Sequence, residues 1–139
     1  MDILVLIGRI LFGALFLNSA IGHLTQSKAM AGYAASKKIP AAQATVLASG
    51  VLLLLGSVSV LFGLWADLGA LLLLAFLVPT ALFMHNFWTV SDPEARQADM
   101  IQFLKDMALA GASLMLLAFF AFAGDDLGLT FTGPLFNID

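Results

Sequence analysis

The chain has no cysteine among its 139 residues. That absence excludes disulfides, thiolate metal sites, covalent c-type haem attachment and any thiol relay carried by this chain. Charge is scarce too. Asp, Glu, Lys and Arg make up 11% of the residues, against roughly 25% in a soluble domain. The few Lys and Arg form no basic stripe, so nucleic acid is not an expected partner. No glycine-rich dinucleotide fingerprint is present, which leaves flavin and nicotinamide without a recognisable seat. The N-terminus lacks a basic n-region and the first apolar run carries Arg9, so no cleavable signal peptide is expected.

What is there in excess is apolar: 61% of residues are hydrophobic, against roughly 45–50% in ordinary domains. The length suits one domain, 1–139. Four runs approach or exceed the roughly 20 residues that cross a bilayer as helix, at about 3–22, 43–65, 68–87 and 100–123. The expected fold is all-α, a bundle of four transmembrane helices. Between the first and second spans lies AGYAASKKI, too short and polar to cross. Met30, Tyr33 and Ala34 fall at helical spacing there, and Pro40 ends the stretch. It reads as a short interfacial amphipathic helix. Pro79 should kink the third span, and the tail after Gly124-Asp125-Asp126 should lie at the interface.

Lys28, Lys37 and Lys38 lie in the first loop, and Arg96 in the loop after the third span. Both termini and the tight turn at Asp67 carry no Lys or Arg. By the positive-inside rule the termini face outward and the two longer loops face the cytoplasm. The expected location is a bacterial inner membrane.

Polar side chains gather in residues 85–111, HNFWTVSDPEARQADMIQFLKDMALAG. A short loop follows Trp88, so His85, Asn86, Lys105 and Asp106 should lie at one end of the bundle, with His23 at the same level. Ionisable groups in membrane helices are functional candidates, and the bland alternative is headgroup-level charge with Lys105 snorkelling to water. Metal or haem ligation by His23 and His85 is disfavoured, since no carboxylate is evident beside either. A quinone-like ligand needs an apolar slot, aromatic walls and a few polar groups. Phe87, Trp88 and Phe103 supply candidate walls, and His85, Asn86 and Lys105 candidate hydrogen-bond partners. Near the outer side, Arg9 either snorkels or pairs with Asp67, Asp125 or Asp126. Asn18, nine residues and about two and a half turns further on, faces the other way, as an interhelical peg or a cavity residue.

These residues resemble the DoxX family of small bacterial membrane proteins, over residues 9–117. RILFGALFLNSAIGHL is similar to the family's opening pattern, with His23 where a lysine is common. AGYAASKKIP resembles its connector. HNFW followed by FLKDMALAG resembles its His-x-Phe-Trp, acidic loop and Phe-x-Lys-Asn pattern, with Asp106 in place of the asparagine. Many members carry a glutamate early in the second span, and residues 49–56 contain none. The resemblance implies a four-helix membrane protein, and some relatives are described as subunits of a thiosulfate:quinone oxidoreductase. By residue it reaches Arg9, His85, Phe87, Trp88 and Lys105, then His23 and Asp106.

The resulting expectation is a redox accessory or oxidoreductase subunit. It would bind a quinone-like carrier at the cytoplasmic end, and a partner protein would donate the electrons. Two other readings stay open: a non-catalytic assembly protein, acting through partner helices or a homo-oligomer, and a small-solute transporter working as an oligomer.

Overall fold

Each of the four apolar runs folds as a helix in the computed structural model, which describes residues 1–136 and 138. The helices are α1 (Asp2–Thr25), α2 (Ser27–Ser36), α3 (Ala42–Phe62), α4 (Ala66–Met84) and α5 (Pro93–Ala123). Short 3-10 turns follow at Phe87–Thr89 and Gly124–Asp126. No strand occurs among the described residues. α1, α3, α4 and α5 are long and apolar enough to cross a membrane. Their outward surfaces stay apolar: Leu11, Met115 and Phe122 are each more than 70% exposed. Such a surface is stable only against hydrocarbon.

α3 packs against α1 and α4, and α4 packs against α5. Phe16, Ala20, Leu53, Val60, Leu73, Leu77 and Ala110 form the buried core. Small residues set the spacing. A Cβ at Gly56 would stand 2.9 Å from Leu73 Cγ and 3.2 Å from the Gly69 carbonyl. α4 continues through Pro79, and the Thr80 hydroxyl donates back to the Phe76 carbonyl at 2.7 Å.

α5 begins earlier than the apolar pattern indicates. Asp92 caps it, its carboxylate accepting the Ala95 amide at 2.9 Å, and Pro93 occupies the first turn. The acidic loop expected around Asp92, Pro93 and Glu94 is therefore mostly the first turn of α5. A polar first turn lowers mean hydropathy without opposing helix. The early start matters because it puts Asp99 on a helix.

The tail folds back across the turn between α3 and α4. Thr132 donates its amide to the Gly63 carbonyl at 3.0 Å, and the Trp65 amide donates to the Thr132 hydroxyl at 2.7 Å. Gly63 ends α3 with φ +66°, and a Cβ there would stand 2.7 Å from the Thr130 side chain. Glycine meets both the left-handed backbone and the close approach.

Arg9 and Asp67 anchor this strap, and neither pairs with a charge among the described residues. Arg9 is 2% exposed. Its Nε donates to the Val60 carbonyl at 2.9 Å, Nη2 to Leu61 at 2.7 Å and Nη1 to Leu129 at 2.8 Å. This corrects the expected ion pair with Asp67, Asp125 or Asp126, and the snorkelling alternative as well. The last carbonyls of a helix lack intrahelical donors and carry partial negative charge, so the end of α3 offers the guanidinium what a carboxylate would. Asp67 sits in the first turn of α4, where the helix dipole favours an anion. Its Oδ2 accepts the amides of Leu135 at 2.8 Å and Phe136 at 2.6 Å. Asp67→Ala is expected to cost about 2 kcal/mol, the scale of lost hydrogen bonds to a charged group. The tail should then be cut faster in limited proteolysis, and Asp67→Asn, which keeps an acceptor oxygen, should lose less than half as much.

Candidate functional site

At the opposite end of α4, the helix stops at Met84 and His85 caps it. Asp99 and Asp106 are seven residues apart on α5, about two turns, and so share one face. His85 lies between them. Its Nδ1 is 3.6 Å from Asp99 Oδ1 and its Nε2 is 3.6 Å from Asp106 Oδ2. Both distances are just beyond a hydrogen bond, and the buried Nδ1 has no hydrogen-bond partner among the described residues.

Two lysines complete the row. Lys37, the C-cap of α2, places Nζ 2.8 Å from Asp99 Oδ2 and 3.1 Å from Asn86 Oδ1. Lys105 Nζ lies 3.8 Å from Asp106 Oδ1 and 2.5 Å from Gln102 Oε1. The order is Lys37, Asp99, His85, Asp106, Lys105, a balanced set when the imidazole is neutral. Tyr33 of α2 donates its hydroxyl to the Met84 carbonyl at 3.3 Å. Burial, with the nearby Asp99 charge adding to it, raises the Tyr33 hydroxyl above the ordinary phenol value, so it remains a donor at neutral pH.

The arrangement suits proton transfer. An imidazole can take a proton at one nitrogen while releasing one from the other. A carboxylate stands on each side of His85, and a shift of a few tenths of an ångström closes either hydrogen bond.

The other expected residues divide. Asn86 joins the row through Lys37. Lys105 reaches Asp106 but lies at the margin, half exposed. Phe87, Trp88 and Phe103 pack edge-on against one another, with ring centroids 5.3, 5.5 and 5.7 Å apart. His23 does not join His85: its Nδ1 is bonded within its own helix to Ser19 O at 2.8 Å, and its ring stands edge-on to Phe76, 5.8 Å away. Asn18 is neither a peg nor a cavity residue within the chain. It is exposed on the outer face of α1, with no side-chain hydrogen bond among the described residues.

An apolar cavity of about 440 Å³ lies elsewhere, between α3 and α4, and another of about 520 Å³ lies at the far end of the bundle beside Arg9, Leu61 and Leu129. The walls of the first include Ile39, Ser49, Leu52, Phe76, Pro79 and Met84. The hydroxyls facing it, Thr45, Ser49 and Thr80, donate to backbone carbonyls of their own segments. One end of the groove reaches Met84, the residue before His85.

Asp99, Lys37 and Tyr33 are not among the site residues expected from sequence, where Tyr33 and Lys37 figure only in the short helix and the charge bias of the first loop. The signal for Asp99 was available: Asp92-Pro93-Glu94 starts a helix, and seven-residue spacing then aligns Asp99 with Asp106. Nothing in the sequence links Lys37 or Tyr33 to His85.

A family model described as DoxX matches residues 4–86, more than half of the chain. The match runs from α1 through His85 and Asn86 and stops before the aromatic trio and α5. No curated protein and no solved structure matches the chain.

Proposed function

The chain belongs to the DoxX family, and on that premise we propose that this multi-pass membrane protein is a redox accessory subunit for a quinone-like carrier. The apolar groove between α3 and α4 takes the carrier, and its polar head lies at the Met84 end. The observation that carries the reading is His85, held between Asp99 and Asp106 and next in the chain to Met84, which lines that groove. Reduction of a quinone to a quinol takes two electrons and two protons. The chain has no cysteine and no dinucleotide fingerprint, so the electrons come from a partner protein. His85 moves the protons, and Asp99 and Asp106 hold its ring and accept or return them. In this reading α2 and the His85 row face the cytoplasm of a bacterial inner membrane, α2 lies along the interface, and both termini are outside.

The test is an organic extract of protein purified in mild detergent, followed by equilibrium binding of a short-chain quinone. Wild type should hold about one quinone per chain or per dimer. Ser49→Trp, which fills the groove, and His85→Ala should each weaken binding about tenfold, the effect of a lost buried polar or packing contact. Lys105→Ala should change it less than twofold, because Lys105 is the half-exposed end of the row, 3.8 Å from Asp106 and not in contact with His85. A folded wild type that neither carries nor binds quinone would remove the reading. The alternative, a non-catalytic assembly protein, is favoured by one observation: Asn18 points away from its own bundle.

A further inference from the structure

Asn18 stands on α1 seven residues inside Thr25, about 10 Å from that end of the helix. It is exposed, with no side-chain hydrogen bond among the described residues. Its side chain is too short to reach water as a lysine or arginine would. An amide turned toward hydrocarbon is costly unless another polar group meets it.

The surrounding pattern tells which group does. Ile7, Leu11, Ala14, Asn18, Ile21 and Thr25 follow one another at alternating steps of four and three residues, and all are exposed. That is the spacing of a coiled-coil seam, with Leu11, Asn18 and Thr25 on one register position and Ile7, Ala14 and Ile21 on the other. A single asparagine in such a seam fixes register, because its amide offers both a donor and an acceptor. Copies of one chain insert into a membrane in the same orientation. A twofold axis along the membrane normal therefore sets two α1 helices parallel, with each Asn18 facing its own counterpart at the same depth. The amide pair is self-complementary, and a second copy meets this condition without any further partner.

We propose that α1 is the homodimerisation helix of this protein, with the Asn18 amides hydrogen-bonded across the twofold axis. The dimer leaves the α3–α4 groove and the His85 row untouched, so the inference stands or falls independently of the redox reading.

Because the chain has no cysteine, single-cysteine variants report the interface directly. Leu11→Cys, Ala14→Cys and Ile21→Cys are oxidised in native membranes beside two controls. Leu55→Cys is exposed on α3 and Met115→Cys is exposed on α5, both away from α1. Seam positions should crosslink at least about fivefold more than either control. Adding Asn18→Leu should reduce that crosslinking about fivefold, the effect of one interhelical hydrogen bond in lipid, and Asn18→Gln should preserve most of it. Asn18→Leu places an apolar side chain on a lipid-facing surface, so its melting temperature in detergent should match that of the wild-type monomer. Equal crosslinking at the seam and the controls, or seam crosslinking indifferent to Asn18→Leu, would overturn the proposal.

Discussion

Arg9→Ala is expected to lower the stability of this protein in detergent by about 3–5 kcal/mol, the range for removing one partner from a buried charged network. The guanidinium donates three hydrogen bonds to carbonyls, two at the end of α3 and one in the tail. Each such bond contributes about 1.5–3 kcal/mol, and deletion strands the acceptors as well. Water reaching the vacated space offsets part of the loss, which keeps the figure below the simple sum. The variant should melt well below wild type and should expose residues 127–136 to protease, since Leu129 loses its tie to α1. Arg9→Lys separates charge from geometry. An ammonium keeps the favourable placement at a helix C-terminus but cannot span three diverging carbonyls as a planar fork does. Its loss should fall between wild type and Arg9→Ala. A melting curve for Arg9→Ala within two degrees of wild type, with the tail still protected, would sink this account of the outer end.

The second large effect is expected at the α3–α4 crossing. Gly69→Leu should cost about 3 kcal/mol or more, at the upper end of overpacking in a tight core. A Cβ at residue 69 would overlap the Ser59 side chain and stand 2.9 Å from the Gly56 carbonyl. Ser59 cannot swing aside freely, because its hydroxyl donates to the carbonyls of Leu64 and Trp65 at 2.6 and 2.9 Å. The helices would have to part, opening the contact of Leu53 and Val60 with Leu73. Gly111→Ala is the control. Nothing lies within 4 Å of a Cβ there, and replacing glycine by alanine in a helix should raise stability by about 0.5 kcal/mol. Thermal unfolding followed by circular dichroism compares the two. A Gly69→Leu variant as stable as Gly111→Ala would show that the crossing is looser than its geometry implies.

The two polar assemblies were legible to different degrees. His85, Asn86 and Asp106 stand out because polar residues are rare in this chain, and the hairpin between the third and fourth spans brings them to one end of the bundle. Grouping His23 with them failed because equal depth is not contact: α1 packs on α3, and its histidine meets Phe76 nine residues before His85. Lys105 lies at the depth of His85, as the hairpin requires, but the rotation of α5 turns it toward Gln102 and the outside. From sequence Arg9 either snorkels to water or takes an acidic partner, because the sequence displays carboxylates and hides carbonyls. Backbone acceptors at a helix end are present in any chain and have no letter in the sequence.

Composition and run length by themselves determined that four helices can cross a membrane and that a short helix separates the first two. Pro40, the turn at Asp67 and Gly124 marked several of the ends, because such signals act within a few residues of the backbone they shape, whereas the Asp92-Pro93 cap reads as loop until the helix is seen. Rotation of each helix about its axis was decided only by tertiary structure. In a soluble helix a polar face marks the side turned to water. Here lipid and bundle interior are both apolar, so α1, α3, α4 and much of α5 are hydrophobic all round and carry no such mark. Close packing at Gly56 and Gly69, the fork of Arg9 and the fit of His85 between Asp99 and Asp106 set those rotations. The same physics leaves Asn18 facing outward, where the polarity of a single residue points beyond the chain.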